Sequence, residues 1–368
     1  MTILTLILVI VALVVVHELG HFLAAKFFGM RVDEFGLGYP PRAYILGKKG
    51  DTTYTLNWLP FGGFVKIHGE EELLTEEHEK PSARSFLSKN RFAQGVVLSA
   101  GILMNLAFAY VLLTAALAFG MPRALSDDDL LRATNLERMV TRVMPESPAG
   151  RAGIQPGDVI KRATTAKGAW DAKDAASFVS FVSHADGMPL SLSLKRNSTD
   201  LSITVTPEQH VVTQDPERFA VGIEVVDIGV VPMSFGEAVT EGFSLTTNMV
   251  RLTAIGLADF FKGIFTLSAN LSQVSGPIGM ADAVGAARND GLGSLLSLVA
   301  IISINLALIN LIPVPALDGG RLLFVIVEAI TRRRIKPRIS QTLNSIGFGF
   351  LVLLMVAVTL HDIFKIFS

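Results

Sequence analysis

The sequence predicts a polytopic α-helical membrane protein with four transmembrane helices and one small extracytoplasmic α/β domain. Only 18% of its 368 residues are charged, whereas soluble domains carry about 25%, and the mean hydropathy is +0.48. The excess apolar residues form four blocks, each close to the ~20 residues that a helix needs to cross a bilayer. A buried core helix would explain any one block, but four together favour membrane insertion. The blocks are 3–28, 92–120, a stretch that begins near Leu295, and 346–367.

Composition and charge exclude several classes of protein. The 32 Lys and Arg residues nearly balance the 33 Asp and Glu residues, which gives a net charge of −1. This balance excludes a general electrostatic grip on nucleic acid, so no nucleic-acid partner is expected. The sequence contains no cysteine, which excludes a disulfide framework, thiolate metal ligands, iron–sulfur clusters and a cysteine nucleophile.

The first block could instead be a cleaved signal peptide, whose apolar core has a similar length. No Lys or Arg precedes the apolar run and no small-residue cleavage pattern follows it, so we expect a retained span. Nine Lys and Arg residues lie between 31 and 91, and five more lie at 332–338. Because basic loops stay in the cytoplasm, both termini and the segment 121–293 are expected on the extracytoplasmic side.

Two regions are predicted within this long segment. Residues 128–226 contain short β-patterned runs, a helical stretch and Gly, Pro, Asn and Asp turns, which are typical of a small globular domain. Residues 235–290 then form a linker that opens with an amphipathic helix from Phe235 to about Phe265. This helix could lie on the membrane surface or pack against the globular domain, and the sequence leaves both alternatives open.

The first span carries the pattern HELGH, from His17 to His21. Residues four apart share one face of a helix, so both imidazoles can bind one Zn²⁺ while Glu18 takes a proton from water. The alternative is a buried polar network that joins helices. Three ionisable side chains inside a membrane span are costly, which favours a functional role.

A catalytic zinc site usually has three protein ligands, and the third span offers a carboxylate for the third. Asp318 is the only acid between Asp290 and Glu328. It follows two helix-breaking prolines, and the two glycines after it are expected to let the backbone turn and aim the carboxylate sideways. Taken alone, this segment is better explained as a cytoplasmic turn. At ~1.5 Å per helical residue, it should meet HELGH toward the cytoplasmic third of the bilayer.

The chain resembles the site-2 protease family of intramembrane zinc metalloproteases, and within it the bacterial regulator-of-sigma-E type. The resemblance covers nearly the whole chain: HELGH in span one, NLIPVPALDGG (310–320) in span three, FGLGYPP and LPFGGFVKIHGE in the first loop, and SGPIG at 275–279. Within 128–226, the pattern SPA…AGI…PGDVI resembles a PDZ domain. Span two departs from the family pattern AGPxxN, because AGILMN, from Ala100 to Asn105, lacks the proline.

The resemblance implies a role for each residue of these motifs. His17, His21 and Asp318 would bind one Zn²⁺. Glu18 would act as general base and general acid. The side chain of Asn310 would hydrogen-bond the substrate backbone or help to hold the oxyanion. Five further residues would lie near the substrate, namely Gly36, Gly38, Gly62, Gly63 and Asn105.

The resemblance also identifies the loop 29–91 as a membrane re-entrant β-loop. Residues 52–68 contain strand-like runs on either side of Pro60 and Gly62-Gly63. A transmembrane substrate must unwind before it is cut, and its freed backbone groups then need new hydrogen-bond partners, which a strand edge would supply. Without the resemblance, the segment is an ordinary hairpin in a cytoplasmic loop.

The resemblance implies an intramembrane zinc endopeptidase of the bacterial cytoplasmic membrane. Its expected partners are the lipid bilayer, single-pass substrates such as anti-sigma factors or signal-peptide remnants, and a site-1 protease that cuts first. The PDZ-like domain would bind a peptide C-terminus or exclude substrates with bulky outer domains, and the family favours exclusion. The alternatives are a membrane scaffold with a structural metal and a metal transporter. The intact Glu18 favours hydrolysis over transport.

Overall fold

Four helices in the described part of the chain are long and apolar enough to cross a membrane. The structure is a computed structural model that describes residues 2–70, 82–171, 174–196, 199–212, 215–266 and 276–367. The chain divides into two compact units, Met1–Leu117 with Gly236–Ser368 and Ala118–Phe235. Residues 71–81 of the predicted loop and 267–275 of the predicted linker, with Ser275 of SGPIG, lie outside the described residues.

The first unit contains the long helices and one small sheet. Its elements are α1 (Thr2–Phe27), β1 (Val32–Lys49), β2 (Thr52–Ile67), α2 (Arg91–Ala118), α6 (Phe235–Phe265), α7 (Pro277–Asp290), α8 (Leu292–Leu311), α9 (Asp318–Thr331) and α10 (Pro337–Phe367). The helices long and apolar enough to span are α1, α2, α8 and the part Arg338–Phe364 of α10. The first three agree with the predicted blocks to within a few residues.

The fourth helix starts earlier than predicted. The sequence placed its beginning at residue 346, whereas α10 begins at Pro337. A proline fits the first turn of a helix because its missing N–H has no partner there. The next residues are mostly polar. They therefore lie outside the apolar block, and hydropathy alone did not predict them as part of the helix.

The turn predicted at Gly319-Gly320 is wrong. Both glycines lie in the first turn of α9, a helix that the sequence analysis did not predict. A Cβ on Gly319 would overlap the carbonyl oxygens of Leu311 and Ile312, and a Cβ on Gly320 would overlap that of Val314. The glycines therefore allow a close approach between the start of α9 and the end of α8.

Strands β1 and β2 form an irregular two-stranded sheet beside α1. Residues 32–37 of β1 pair with 63–67 of β2 and also with 53–56, while 42–49 pair with 52–57. One side of the segment 63–67 is therefore paired with β1, and no strand in the described part of the chain pairs with its other side, which we call the free edge. A Cβ on Gly62 would meet Val14 of α1, and a Cβ on Gly63 would meet Glu18 Cγ at 3.9 Å. This edge of the sheet faces the helix that carries HELGH.

The predicted amphipathic helix is present as α6, and it packs within the first unit. Its residues Leu245 and Met249 pack on a cluster that α2 and α8 supply. The Tyr110 hydroxyl of α2 donates to the Val239 carbonyl at 3.3 Å. The helix therefore packs against α2 and α8, whereas the two predicted alternatives were the membrane surface and the globular domain.

The second unit is an antiparallel β-sheet domain that covers more of the chain than the predicted 128–226. Its sheet order is β3-β9-β4-β5-β7-β8, with β6 paired to β5. The elements are β3 (Arg123–Ala124), α3 (Asp127–Leu130), β4 (Thr134–Val143), α4 (Pro148–Arg151), β5 (Val159–Thr165), β6 (Gly168–Trp170), α5 (Ala175–Ser183), β7 (Leu190–Arg196), β8 (Thr199–Val205) and β9 (Ile223–Val230). Alternate residues of β7 and the inner face of α5 fill its core, as period-two and helical patterns require.

Two motifs of the second unit have clear structural causes. Ser147 is the N-cap of α4, and its hydroxyl accepts from the Gly150 N–H at 3.2 Å. Asp158 is fully buried and accepts two hydrogen bonds from Arg196, at 2.7 and 2.8 Å. The Gln155 N–H donates to the same carboxylate at 2.9 Å. The SPA and PGDVI patterns thus mark a helix cap and a buried ion pair.

Candidate metal centre

The helix α1 brings His17 and His21 to one face. Their ring centroids are 4.8 Å apart in an edge-to-face arrangement, and their Nε2 atoms are separated by 3.1 Å. Both residues are buried. The adjacent helix α2 comes close to them at Gly101, where a Cβ would overlap His21 Nε2 and lie 2.8 Å from His17 Nε2. The absence of a side chain at Gly101 is therefore required for two imidazoles at this point.

Asp318 reaches the same point from the start of α9. Its Oδ2 lies 2.8 Å from His17 Nε2 and 3.2 Å from His21 Nε2. The ligand atoms of the three residues all lie within 4.8 Å of one another, the one group in the described part of the chain with metal-site spacing. Asp318 stands about 300 positions from the histidines in the sequence, so the fold alone makes this cluster.

The opposite nitrogen of each imidazole is held by α2. The Val97 carbonyl can only accept, so His21 Nδ1 donates to it, at 2.8 Å. Asn105 Nδ2 lies 3.2 Å from His17 Nδ1, while its buried Oδ1 has no hydrogen-bond partner among the described residues. A half-turn of the amide would bring Oδ1 to His17 Nδ1 as an acceptor. With both Nδ1 atoms protonated, both Nε2 lone pairs face Asp318.

This donor set fits a divalent metal ion. Two Nε2 lone pairs and a carboxylate oxygen are all acceptors, so they attract a cation placed among them. Neutral imidazoles with protonated rear nitrogens, each held by an outer partner, are the usual form of metal-binding histidines. Two nitrogens and one oxygen also match the protein ligands of catalytic zinc sites, which keep one position open.

Glu18 lies beside the three candidate ligands and faces the sheet. Its Oε2 accepts a hydrogen bond from the Val65 backbone N–H at 3.0 Å. Since Val65 belongs to the segment 63–67, this N–H points away from β1 and marks the free edge of the sheet. Alternate backbone groups of a strand point the same way, so the edge presents further groups toward the site.

A cavity of about 760 Å³ opens at these side chains. It contains most of the residues that the sequence analysis singled out, including one from α8 and two from β2. Those residues are His17, Glu18, His21, Gly62, Gly63, Asn310 and Asp318. Five helices and strands contribute to it, namely α1, β1, β2, α8 and α9, and they come from two distant stretches of the chain, 10–70 and 306–321.

Three predicted substrate-contact residues are absent from the cavity lining. Asn105 is fully buried behind His17. Gly36 lies within the sheet, where a Cβ would overlap the Phe64 ring, and Gly38 has a φ of 79° and adjoins the Leu59 carbonyl. The structure gives these residues packing and positioning contacts, and their contact with a substrate stays a prediction.

Sequence reasoning missed an ion pair at the cavity wall. Arg321 donates to Glu70 Oε1 at 2.6 Å, and both residues line the cavity. Arg321 stands one turn after Asp318 on α9, a spacing that could have signalled it once the helix was known. No local pattern points to Glu70, because the pair joins residues 251 positions apart.

The site combines a pair of histidines on one helix with a distant carboxylate and an adjacent glutamate, and it lies among long apolar helices. These features define the class of membrane metalloproteases. Comparison of sequences gives the same class. Residues 5–354 match the profile of peptidase family M50. The chain belongs to this family, that of the site-2 proteases, which confirms the resemblance.

The relatives match along nearly their whole length. The chain is 34% identical to a Clostridium perfringens protein that bears the name of a zinc metalloprotease, over 96% of this chain and 95% of that one. A Nostoc protein with a name of the same kind is 33% identical over 96% and 93%. The regulator of sigma-W protease RasP of Bacillus subtilis is 27% identical over 100% and 99%.

Proposed function

We propose that the protein is an intramembrane zinc endopeptidase that cleaves single-pass membrane proteins. The observation that carries the proposal is the convergence of His17 Nε2, His21 Nε2 and Asp318 Oδ2 within 4.8 Å, beside Glu18. Three such groups in an apolar environment are costly unless they have a task. The names of two relatives as zinc metalloproteases support zinc as the ion.

His17, His21 and Asp318 hold one zinc ion. When bound, zinc supplies a Lewis acid that polarises the scissile carbonyl and lowers the pKa of water. Glu18 takes the proton from the attacking water and passes it to the departing amine. The Asn310 side chain, which lines the same cavity, donates to the substrate backbone or to the developing oxyanion.

The free edge at 63–67 receives the substrate as an added strand. An unwound transmembrane segment exposes backbone groups that cost several kcal/mol each in lipid, and a strand edge replaces their lost partners. The Val65 N–H that now reaches Glu18 belongs to this edge. Docking on it therefore brings an extended backbone next to Glu18.

The β1–β2 sheet enters the membrane as a re-entrant β-loop. Several large apolar side chains are exposed on the part of the sheet that does not pack on α1. They are Tyr44, Ile45, Leu46, Trp58 and Leu59. Such a set in water would be an aggregation hazard, whereas lipid accommodates it.

The β-sheet domain acts as a PDZ-like gate on the extracytoplasmic side of the cytoplasmic membrane. It excludes substrates with bulky outer domains, so a site-1 protease must trim them first. The name of RasP, a regulator of sigma-W protease, supports anti-sigma factors as substrates, with signal-peptide remnants as a second class. The two loops that carry the basic residues, 31–91 and 332–338, are cytoplasmic, since loops rich in Lys and Arg stay on that side of the membrane.

Substitution Glu18→Gln tests the proposal in cells that carry a tagged single-pass substrate. The amide keeps the size of the side chain and an acceptor for Val65, but it cannot take a proton. Bound zinc should stay at the wild-type level while cleavage falls about 10²- to 10⁴-fold. Glu217→Gln, an exposed change in the second unit, is the control. Continued cleavage by Glu18→Gln would contradict the mechanism.

A further inference from the structure

The segment that precedes Asp318 is held by a backbone hydrogen bond to α10. Ala316 has a φ of 82°, a left-handed backbone conformation that a residue with a Cβ adopts only under constraint. Its N–H donates to the Asn344 Oδ1 of α10 at 3.0 Å. The side chain of Asn344 therefore supplies a partner for a backbone group that a helix would otherwise satisfy.

The backbone of α10 also touches this segment directly. Gly347 lies one turn after Asn344, on the same face of the helix. A Cβ on Gly347 would overlap the Pro315 carbonyl oxygen, and Gly347 is buried. Two residues further on, Gly349 is exposed and a Cβ there would meet nothing within 4 Å. The requirement for glycine is thus specific to the side of α10 that contacts residues 315–316.

The contacts of the segment with itself set its shape. Within it, the Val314 N–H donates to the Ile312 carbonyl at 2.7 Å and the Leu317 N–H to the Val314 carbonyl at 3.1 Å. The contacts with Asn344 and Gly347 join this turn to α10. Asp318 follows Ala316 by two residues, so a shift of the turn would move Oδ2 away from His17 Nε2.

We infer that Asn344 and Gly347 are positioning residues for the metal centre, and that α10 fixes the place of Asp318. The inference rests on the proposed function, in which Asp318 is a ligand. It assigns α10 a role in metal binding besides that of a membrane span. The two residues contact neither the histidines nor the cavity, so they act only through the turn at 312–317.

Zinc affinity of the purified full-length protein, measured in detergent by competition with a chromophoric chelator, tests this inference. Asn344→Leu removes the acceptor at nearly constant size and should weaken zinc binding about 10- to 100-fold, the usual effect of losing an outer support. Asn344→Asp keeps an oxygen for the Ala316 N–H and should recover most of the affinity. Gly347→Ala should weaken zinc binding by a similar factor, because the added methyl group would overlap the Pro315 carbonyl oxygen and displace the turn.

Gly349→Ala is the matched control for Gly347→Ala, because both raise helix propensity equally. It should keep the wild-type affinity. Thermal unfolding of the zinc-free proteins separates the two roles. Lower unfolding temperatures with unchanged zinc affinity in Asn344→Leu and Gly347→Ala would mean a merely structural role and would overturn the inference.

An Asp318→Asn variant distinguishes this failure from failure of the proposed function. If Asp318→Asn loses zinc affinity while both α10 variants keep it, only the inference is overturned. If Asp318→Asn binds zinc as tightly as the wild type, the proposed ligand set is wrong, and the inference falls with it.

Discussion

The two imidazoles of the candidate metal centre depend on α2 as much as on α1. The nitrogens that point away from Asp318 lie against Val97 and Asn105 of α2, at 2.8 and 3.2 Å. Such outer contacts fix the tautomer and the ring orientation of metal-binding histidines. Between these two residues, Gly101 brings the α2 backbone against both rings. The geometry of the site is therefore set where the two helices cross.

Gly101→Ala should disrupt the metal centre. The added methyl group would overlap His21 Nε2, so the rings must turn or the helices must separate, at a cost of about 1–3 kcal/mol. We expect zinc affinity to fall at least about tenfold, as measured by chelator competition on the purified protein.

Gly95→Ala is the matched control on the same helix, since its Cβ would meet only Leu322 Cδ1 at 3.6 Å. Its zinc affinity should equal that of the wild type. Equal affinities for Gly101→Ala and Gly95→Ala would show that the two rings do not need the close approach of α2.

At this scale the sequence predicted the residues with a local pattern and missed those without one. The four-residue spacing of HELGH indicated both histidines, and the scarcity of acids near span three indicated Asp318. Gly101 and Asn344 act through contacts between helices, which no local periodicity encodes. Family resemblance predicted Asn105 near the substrate, which stays a prediction, and it did not indicate the contact of Asn105 with His17. The proline absent from the AGILMN pattern leaves α2 a continuous helix from Arg91 to Ala118.

The second unit contains a buried carboxylate, Asp158, just before β5, which pairs with Arg196 at the end of β7. Burial opposes the charge on Asp158, but hydrogen bonds from Arg196 and from the Gln155 N–H outweigh it and hold the pKa of Asp158 below its ordinary value. The unfolded chain binds this proton more tightly than the folded domain. The pair therefore contributes stability above about pH 4, the ordinary pKa of Asp, and the contribution is lost as the pH falls through the lower folded value.

Arg196→Met should reverse this pH dependence. It leaves a buried carboxylate without its cation, at a cost of about 3 kcal/mol near neutral pH. Protonation of Asp158 would relieve that cost, so the variant should be closer to the wild type at pH 4 than at pH 7. Urea unfolding followed by Trp170 fluorescence, in a Trp58→Phe background of the full chain, measures this difference.

Lys195→Met is the control for Arg196→Met, because neighbouring residues of a strand point to opposite faces. Its midpoint should stay near the wild-type value at both pH values. A loss in Arg196→Met that is equal at pH 4 and pH 7 would contradict the electrostatic account.

Among the elements, the sequence predicted the long apolar helices and the alternating strands, but it failed at α9. The residues of α9 follow two prolines and begin with Asp-Gly-Gly, a composition typical of a turn. The close approach of Gly319 to the carbonyl of Ile312 overrides this local preference. Likewise, the start of α10 was not predicted because its first residues are mostly polar, although a proline at the first position favours a helix there.

At the scale of the whole molecule, the proposed chemistry lies entirely in the first unit. The candidate ligands, Glu18, Asn310 and the free edge at 63–67 all belong to residues 1–117 and 236–368. The β-sheet domain, Ala118–Phe235, is inserted between α2 and α6. Under the proposal, the first unit cuts the substrate and the second unit selects it.

The proposed orientation can be tested because the chain contains no cysteine of its own. Glu217→Cys places a thiol on the second unit, and Arg333→Cys places one between α9 and α10, both at exposed positions. A membrane-impermeant maleimide should label Glu217→Cys in cells whose cytoplasmic membrane is intact. It should label Arg333→Cys only after lysis. Labelling of Arg333→Cys in intact cells, and of Glu217→Cys only after lysis, would contradict the proposed orientation.

The most direct test of the central claim is the anomalous zinc signal in crystals of the full-length protein. The account predicts one peak among His17 Nε2, His21 Nε2 and Asp318 Oδ2, and its loss in the Asp318→Asn variant. A zinc peak bound by other residues, or none at this place in zinc-loaded protein, would contradict the claim that these helices form one metal centre.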